Sequence, residues 1–303
     1  MEPTPASKEL LKENAIAVVI PCYNVERHIT DVVNTIPDYV RWIIAVNDCT
    51  PDNGGDVLEE LSKSDERLVV ITHDKNMGVG GAMKSGYVKA LELEADIVIK
   101  MDGDGQMDPL YIDALIEPLI SKNADFSKGN RFRDFTALRQ MPLLRRMGNL
   151  GLSFMIKTAS GYWNVFDPTN GYTAINKNTL KSIAFKNLDN RYFFESSMLI
   201  ELYYTNAVIE DVPMKAIYAD EVSGLSATKT LFEFPPKLFV ALMKRILLKY
   251  FLFDFNIASI YLMFGGPLFV AGAWMGIANF FKYTSMGVAA PTGSVIIPTL
   301  MII

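Results

Sequence analysis

Residues 97–109, IVIKMDGDGQMDP, set three aspartates, Asp102, Asp104 and Asp108, behind a short run of β-branched residues. A run of that kind, bounded by a Gly- and Asp-rich loop, reads as a buried strand. The charge at its end then needs a partner. Asp102 and Asp104, two apart in a tight loop, can both reach one hard cation such as Mg2+ or Mn2+, with Gln106 as a third oxygen ligand. An ion held this way is completed by substrate phosphates and water, so it suits the neutralisation of a departing diphosphate. Asp108, followed by Pro109, reads instead as the cap of the next helix. The string also imitates a calcium-binding EF-hand loop. Met107 stands where that loop needs glycine, however, and a strand rather than a helix precedes it.

Working outward, IAVVI (16–20), WIIAV (42–46) and LVVIT (68–72) are apolar runs of strand length. Helix-compatible stretches over about residues 25–36, 54–64 and 80–93 separate them and lead to the strand at 97–100. Repeated alternation of this kind predicts an α/β fold, a parallel sheet with helices on both faces. Ligands of such sheets bind beyond the carboxyl ends of the strands. Those ends carry PCYN (21–24), NDCTPDNGG (47–55), HDKNMGVGGAMKSG (73–86) and MDGDGQMDP (101–109). Four polar loops converging on one edge predict a site there. The third is Gly-rich and opens a helix, which serves either close packing of that helix or the shaping of a ligand pocket. A dinucleotide fingerprint would need its glycines after the first strand, where PCYN stands, so an oxidoreductase reading is poor.

The chain has 303 residues, 50% of them apolar, and a net charge of -5. Its pI near 5.2 gives no reason to expect nucleic acid as a partner. Locally the charge is reversed: Lys128, Arg131, Arg133, Arg139, Arg145 and Arg146 lie close together, and Lys237, Lys244, Arg245 and Lys249 follow later. Two basic clusters ahead of an apolar span fit anionic phosphates or lipid headgroups. Cys22 and Cys49 match neither a zinc knuckle nor a disulfide framework, which points to a reducing compartment. The polar start MEPTPASKELLKEN lacks the apolar core of a signal peptide.

After residue 232 the texture changes. Residues 233–256 mix apolar residues with Lys and Arg at helical spacing, as a helix lying in a membrane interface does. Residues 257–281 carry no charge and are long enough to cross a bilayer. VIIPTLMII (295–303) would span only about 13 Å as a helix, so it reads as part of a truncated second transmembrane helix completing a hairpin. Basic residues on the globular side of the first span put the globular part in the cytoplasm. The expected organisation is a cytoplasmic domain over 1–232, interfacial helices over 233–256 and a transmembrane region over 257–303, multi-pass, in a cell or ER membrane.

VVIPCYN (18–24), VNDCTPDNGG (46–55), NMGVGGAMKSG (76–86), KMDGDGQMDP (100–109) and GNRF (129–132) stand in the order and spacing of the inverting family 2 glycosyltransferases, which this sequence resembles over about residues 15–230. It looks most like the polyprenyl-phosphate branch, which includes the dolichyl-phosphate mannose synthases. That resemblance implies a Rossmann-like nucleotide-sugar-binding domain of GT-A type. It implies Pro21, Tyr23, Asn24, Glu26, Asp48 and Asp102 as nucleotide-binding residues and Asp102, Asp104 and Gln106 as ligands of Mg2+ or Mn2+. Where the family usually has two adjacent aspartates, this chain reads Asn47-Asp48, leaving one carboxylate.

Arg131, where the family has an arginine, and Arg145 and Arg146 in LLRRMG are candidates for binding an acceptor phosphate, since guanidinium grips phosphate through paired hydrogen bonds; generic attraction to anionic lipid is the other reading of Arg145 and Arg146. FDPTNGY (166–172) nominates Asp167 beside the reacting carbon, RYFFE (191–195) nominates Glu195, and DEVSGLSATK (220–229) nominates Lys229 as a phosphate contact. Asp104, Asp167 and Arg131 form the expected catalytic set.

The expected reaction moves one sugar from a nucleotide-diphosphate sugar to a polyprenyl phosphate at the cytoplasmic membrane face, with inversion. An enzyme of the same family acting on another membrane glycan is the alternative. The glutamine-x-x-arginine-tryptophan motif of processive synthases is absent, because Asp38 stands where that motif's glutamine belongs ahead of Arg41 and Trp42. From another class, a non-catalytic scaffold that binds nucleotide sugar remains; the intact metal loop argues against it. A homo-oligomer is compatible with the sequence.

Overall fold

The structure is a computed structural model, and it describes residues 11, 13–131, 143–215 and 227–303. The chain divides into two compact units, Met1–Ala241 and Leu242–Ile303. The first runs β1 (Ile16–Cys22), α1 (Ile29–Thr35), β2 (Trp42–Asn47), α2 (Gly54–Ser64), β3 (Leu68–Thr72), α3 (Val79–Glu92), β4 (Ile97–Lys100), α4 (Ile112–Ser121), β5 (Phe126–Asn130), α5 (Leu143–Ser160), β6 (Thr173–Asn176), α6 (Lys177–Ser182), α7 (Phe194–Tyr204) and β7 (Ile209–Pro213). Helix α8 (Ala227–Leu247) crosses the boundary between the units.

One seven-stranded sheet has the order β3-β2-β1-β4-β6-β5-β7. β1 to β4 are parallel as the alternation predicts, and β5 is parallel to β7. β6 alone runs against its neighbours, pairing Thr173 with both Lys100 of β4 and Lys128 of β5. Its start therefore lies beside the ends of the strands around it. The loops that leave β1 to β4, Arg131 at the end of β5, and the loop of residues 167–172 that enters β6 all meet at one edge of the sheet.

Burial explains the strand sequences. β1 and β2 are covered on both faces and read as almost unbroken Ile, Val and Ala, as parallel strands do. The Gly-rich third loop serves packing. A Cβ on Gly86 would come within 2.2 Å of Val19 on β1, and one on Gly80 within 2.1 Å of the Asp189 carbonyl oxygen. Helix α3 is thereby wedged between the sheet and the chain leading into α7.

Two expectations shift. α1 starts at Ile29, not near Val25, because the amides of Asn24 and Glu26 on either side of Val25 are spent on bonds to the loop of residues 50–53 described below. Asp108 does cap: its carboxylate accepts the Leu110 N–H at 2.9 Å, with Pro109 opening a single tight turn ahead of α4.

In the second unit α9 (Ile257–Met286) is long and apolar enough to cross a bilayer, the one such helix among the described residues. It opens with a reciprocal cap between Asn256 and Ser259. α10 (Thr292–Ile302) is an apolar helix of 11 residues, about 16 Å long at 1.5 Å per residue. It packs on α9 where Gly272 lets the backbones approach: a Cβ there would meet the Pro298 carbonyl oxygen at 2.8 Å.

Candidate active site

The loop after β4 folds on itself. Gly105 takes φ +74, a conformation that suits glycine, and the Asp104 carboxylate accepts the Gln106 N–H at 3.0 Å. Asp102 stays about one-third exposed at the mouth of the loop. Among the described residues no group of three or more His, Cys, Asp or Glu side chains forms a complete metal cage. Two carboxylates two residues apart in a tight loop suit a Mg2+ or Mn2+ ion that takes its remaining ligands from substrate phosphates and water.

Beneath this loop lies a cation that the sequence reading treated only as the end of a strand. Lys100 is 2% exposed, and its ammonium meets Asp102 at 2.6 Å and Glu195, in the first turn of α7, at 3.3 Å. Burial opposes the charge, yet the carboxylates of Asp102 and Glu195 outweigh it and hold the Lys100 pKa above its ordinary value. Gly171 completes the nest: a Cβ there would stand 2.4 Å from the Lys100 nitrogen and 3.0 Å from an Asp102 oxygen. A lone cation in an apolar strand, two residues ahead of an aspartate, was the available signal.

Lys128 requires a correction. Its place in the basic cluster of residues 128–146 predicts contact with anionic groups, but it is buried in β5 and its ammonium donates to the Asn170 carbonyl oxygen. Desolvation pulls its pKa down to about 8, resisted by the charges of Glu195 and Asp167. Neighbouring Asp211 is pushed up to about 6 by burial, and its Oδ1 is buried without a hydrogen-bond partner.

Arg131 and Asp167 are brought together from the end of β5 and the loop before β6. The Arg131 Nε donates to Asp167 Oδ2 at 2.7 Å and a terminal nitrogen to Oδ1 at 3.2 Å, a two-point grip. Asp167 is fully buried, and Thr169 donates to it as well. Its carboxylate faces the guanidinium of Arg131, which is itself 38% exposed. Asp167 thus orients Arg131.

The loops after β1 and β2 are knitted together. The Asn24 N–H donates to Thr50 Oγ1 with Asn24 in the left-handed region, and Glu26 accepts from the backbone and side chain of Asn53. Asp52 accepts the N–H groups of Glu26 and Gly54, and bonds from Thr50 and these amides hold its carboxyl below the usual range against desolvation. Pro21 is the penultimate residue of β1, and Tyr23, just past the strand's end, is half-exposed. Asp48, 2% exposed, accepts from His73 at 2.7 Å, the Met77 N–H at 2.8 Å and the Gly78 N–H at 2.7 Å. It therefore clamps the third loop to the second. His73, which also meets Ser85 at 2.8 Å, had no distinguishing sequence signal. Arg145 and Arg146 lie in the first turn of α5 and Lys229 in that of α8, with side chains outside the described residues.

Against known proteins, the family described as "Glycosyl transferase family 2" matches residues 17–184. The UDP-N-acetylglucosamine--dolichyl-phosphate N-acetylglucosaminyltransferase of Methanococcus voltae is 34% identical over 69% of this chain and 88% of its own. The undecaprenyl-phosphate mannosyltransferase of Micrococcus luteus is 26% identical over 66% of this chain and 82% of its own. Glucosyl-3-phosphoglycerate synthase from Mycobacterium tuberculosis, crystallised with Mn2+, UDP and phosphoglyceric acid, superposes with a TM-score of 0.58 at 18% identity, covering 81% of this chain and 84% of that one. The last shares the fold. With its sheet edge, its aspartate loop and these sequence matches taken together, the chain belongs to glycosyl transferase family 2 and is a glycosyltransferase of the polyprenyl-phosphate branch.

Proposed function

We propose that this enzyme transfers a single sugar from a nucleotide-diphosphate sugar to a polyprenyl phosphate, with inversion, at the cytoplasmic face of a membrane. One observation carries the reading: the Asp102–Asp104 loop and the Arg131–Asp167 pair, which suit a diphosphate and a second anion respectively, share one edge of the sheet. The names of the relatives support the acceptor class. The donor diphosphate would lie toward Asp102 and Asp104, with its nucleoside toward Pro21, Tyr23, Asn24, Glu26 and the loop clamped by Asp48. A Mg2+ or Mn2+ ion held by Asp102 and Asp104, with Gln106 as a further oxygen, would supply charge neutralisation to the leaving diphosphate.

A polyprenyl monophosphate has its second pKa near about 6, so at neutral pH most of it is already a dianionic nucleophile. The chain's task becomes alignment and charge stabilisation. Arg131, braced by Asp167, fixes the acceptor phosphate, with Arg145, Arg146 and Lys229 as further phosphate contacts. Lys100, between Asp102 and Glu195, keeps the Asp102 carboxylate aimed. In this reading the globular domain is cytoplasmic, the helix over 233–256 is interfacial and residues from 257 onward form the membrane hairpin.

The test is a panel of labelled nucleotide sugars, UDP-N-acetylglucosamine among them, given to membranes carrying the enzyme with polyprenyl phosphate. Label from one donor becoming extractable into chloroform is the expected result. Label appearing only in polymer overturns the acceptor, and no transfer from any donor overturns the reaction.

A further inference from the structure

The large apolar side chains exposed on the first unit include a coherent group beside the site. Met147, Leu150 and Phe154 are spaced three and four apart on α5, which puts them on one face, and they are 58% to 61% exposed. Trp163 and Phe166, in the loop that follows, are 55% and 56% exposed. The other side of α5 buries Ser153, Ile156, Ala159 and Ser160 and packs on α7. The outward side is thus as apolar as the inward one, and a soluble surface does not call for that.

These side chains are held out, not left over. The Tyr162 hydroxyl donates to the Ala207 carbonyl at 2.7 Å, Asn164 donates to the Ile209 carbonyl at 3.0 Å, and the Phe166 N–H donates to Asp211 at 2.9 Å. The loop is pinned to the chain around β7 by its polar groups, while its two aromatic rings face outward. Phe154 and Trp163 meet edge to face at 5.8 Å, and the Lys157 ammonium sits 4.3 Å from the centre of the Phe166 ring. A rigid amphipathic ridge results.

Its charge identifies the partner. From Leu143 to Phe166 the sequence contains Arg145, Arg146 and Lys157 and no acidic residue, in a chain whose net charge is -5. Apolar anchors, a tryptophan and exclusively cationic charge describe an element that lies in the headgroup layer of an anionic bilayer. A second copy of the same face would oppose cation to cation.

We propose that the outer face of α5, together with Trp163 and Phe166, is a docking surface that seats this domain in the headgroup layer of an anionic phospholipid membrane. Phe166 directly precedes Asp167, so docking there would put the Arg131–Asp167 pair at the lipid surface. The inference deepens the reading of a lipid acceptor, and its test needs no turnover.

Trp163 is one of three tryptophans. The full-length protein carrying W42F and W274F, leaving Trp163 as the sole tryptophan, is reconstituted into phosphatidylcholine vesicles with and without phosphatidylglycerol, using lipids brominated near the headgroup. Blue-shifted Trp163 emission, quenched by bromolipid and more strongly with phosphatidylglycerol, is expected, and L150S/F154S should reverse both. If the tryptophan variants fail to fold, a bimane label on F154C in a C49S background reads the same quenching. Solvent-like, unquenched emission overturns the proposal, as does a blue shift without quenching that fades when the protein is diluted among vesicles, which would mark self-association. Quenching indifferent to phosphatidylglycerol overturns the anionic surface. Failure of sugar transfer with quenching intact would count against the reaction alone.

Discussion

Lys100 sits between two carboxylates with 2% of its side chain exposed, so removing it strands both Asp102 and Glu195 without their buried counter-ion. K100M should cost about 3 kcal/mol of stability and most of the transfer rate, and adding E195Q should recover part of the stability. Denaturant unfolding of the single and double variants checks this. Lys128 makes a pH-dependent prediction. Its pKa in the fold is about 8 against an ordinary 10.5, so between those values an unfolded chain holds more protons than the folded one. The fold therefore gains stability as pH rises through that window. Relative to K128M, the wild type should gain from about pH 8 to pH 10.5 and show no such trend below 8; unfolding curves across that range test it. R131A leaves the fully buried Asp167 without its guanidinium partner, which should cost about 2 kcal/mol, and with Arg131 holding the acceptor phosphate as proposed the KM for polyprenyl phosphate should rise roughly tenfold or more. UDP binding measured by calorimetry should hardly change.

At the scale of elements, the single reversed strand matters most. Because β6 runs against β4 and β5, its entry loop delivers Asp167 and Gly171 to the edge where β4 delivers Lys100 and Asp102 and β5 delivers Arg131. α3 holds the other side. Its glycines let the helix touch the backbone at residues 189 and 190, which leads into α7 and Glu195. G80A would push a methyl against the Asp189 carbonyl oxygen, which belongs to the backbone and cannot rotate away. We expect about 1 to 3 kcal/mol of destabilisation, together with weaker coupling between Lys100 and Glu195 in the double-variant cycle described above. Thermal unfolding of G80A beside wild type is the measurement.

For the whole molecule, α9 presents a helix of bilayer-crossing length whose apolar side chains are mostly exposed. Expressed in full, the chain should sediment with membranes, resist alkaline carbonate and need detergent for release; recovery in the soluble fraction would contradict a spanning α9. A leucine at Gly272 should separate α10 from α9, because even a methyl would meet the Pro298 carbonyl oxygen at 2.8 Å. Faster proteolysis of α10 in detergent would report it.

Strand and loop identity in the first hundred residues was written locally. Apolar runs of strand length, glycines at forced turns and two aspartates in a short loop carry their own physics, so the parallel sheet, the edge where its loops meet and the tight aspartate loop were legible without coordinates. Asp108 was legible as a cap for the same reason, since capping depends on residues two apart. What the sequence could not hold is anything decided by strand direction or burial. The bracing of Arg131 by Asp167 depends on β6 running backward, and across a separation of 36 in sequence nothing local records it. Lys128 reads as one of a basic cluster and is core, Lys100 reads as a strand end and is the buried counter-ion of Asp102 and Glu195, and the bonds from Asp48 to His73 and the Met77 and Gly78 amides leave no trace in the sequence. Charge is visible in a sequence; its partner and its solvent are set by what folds against it.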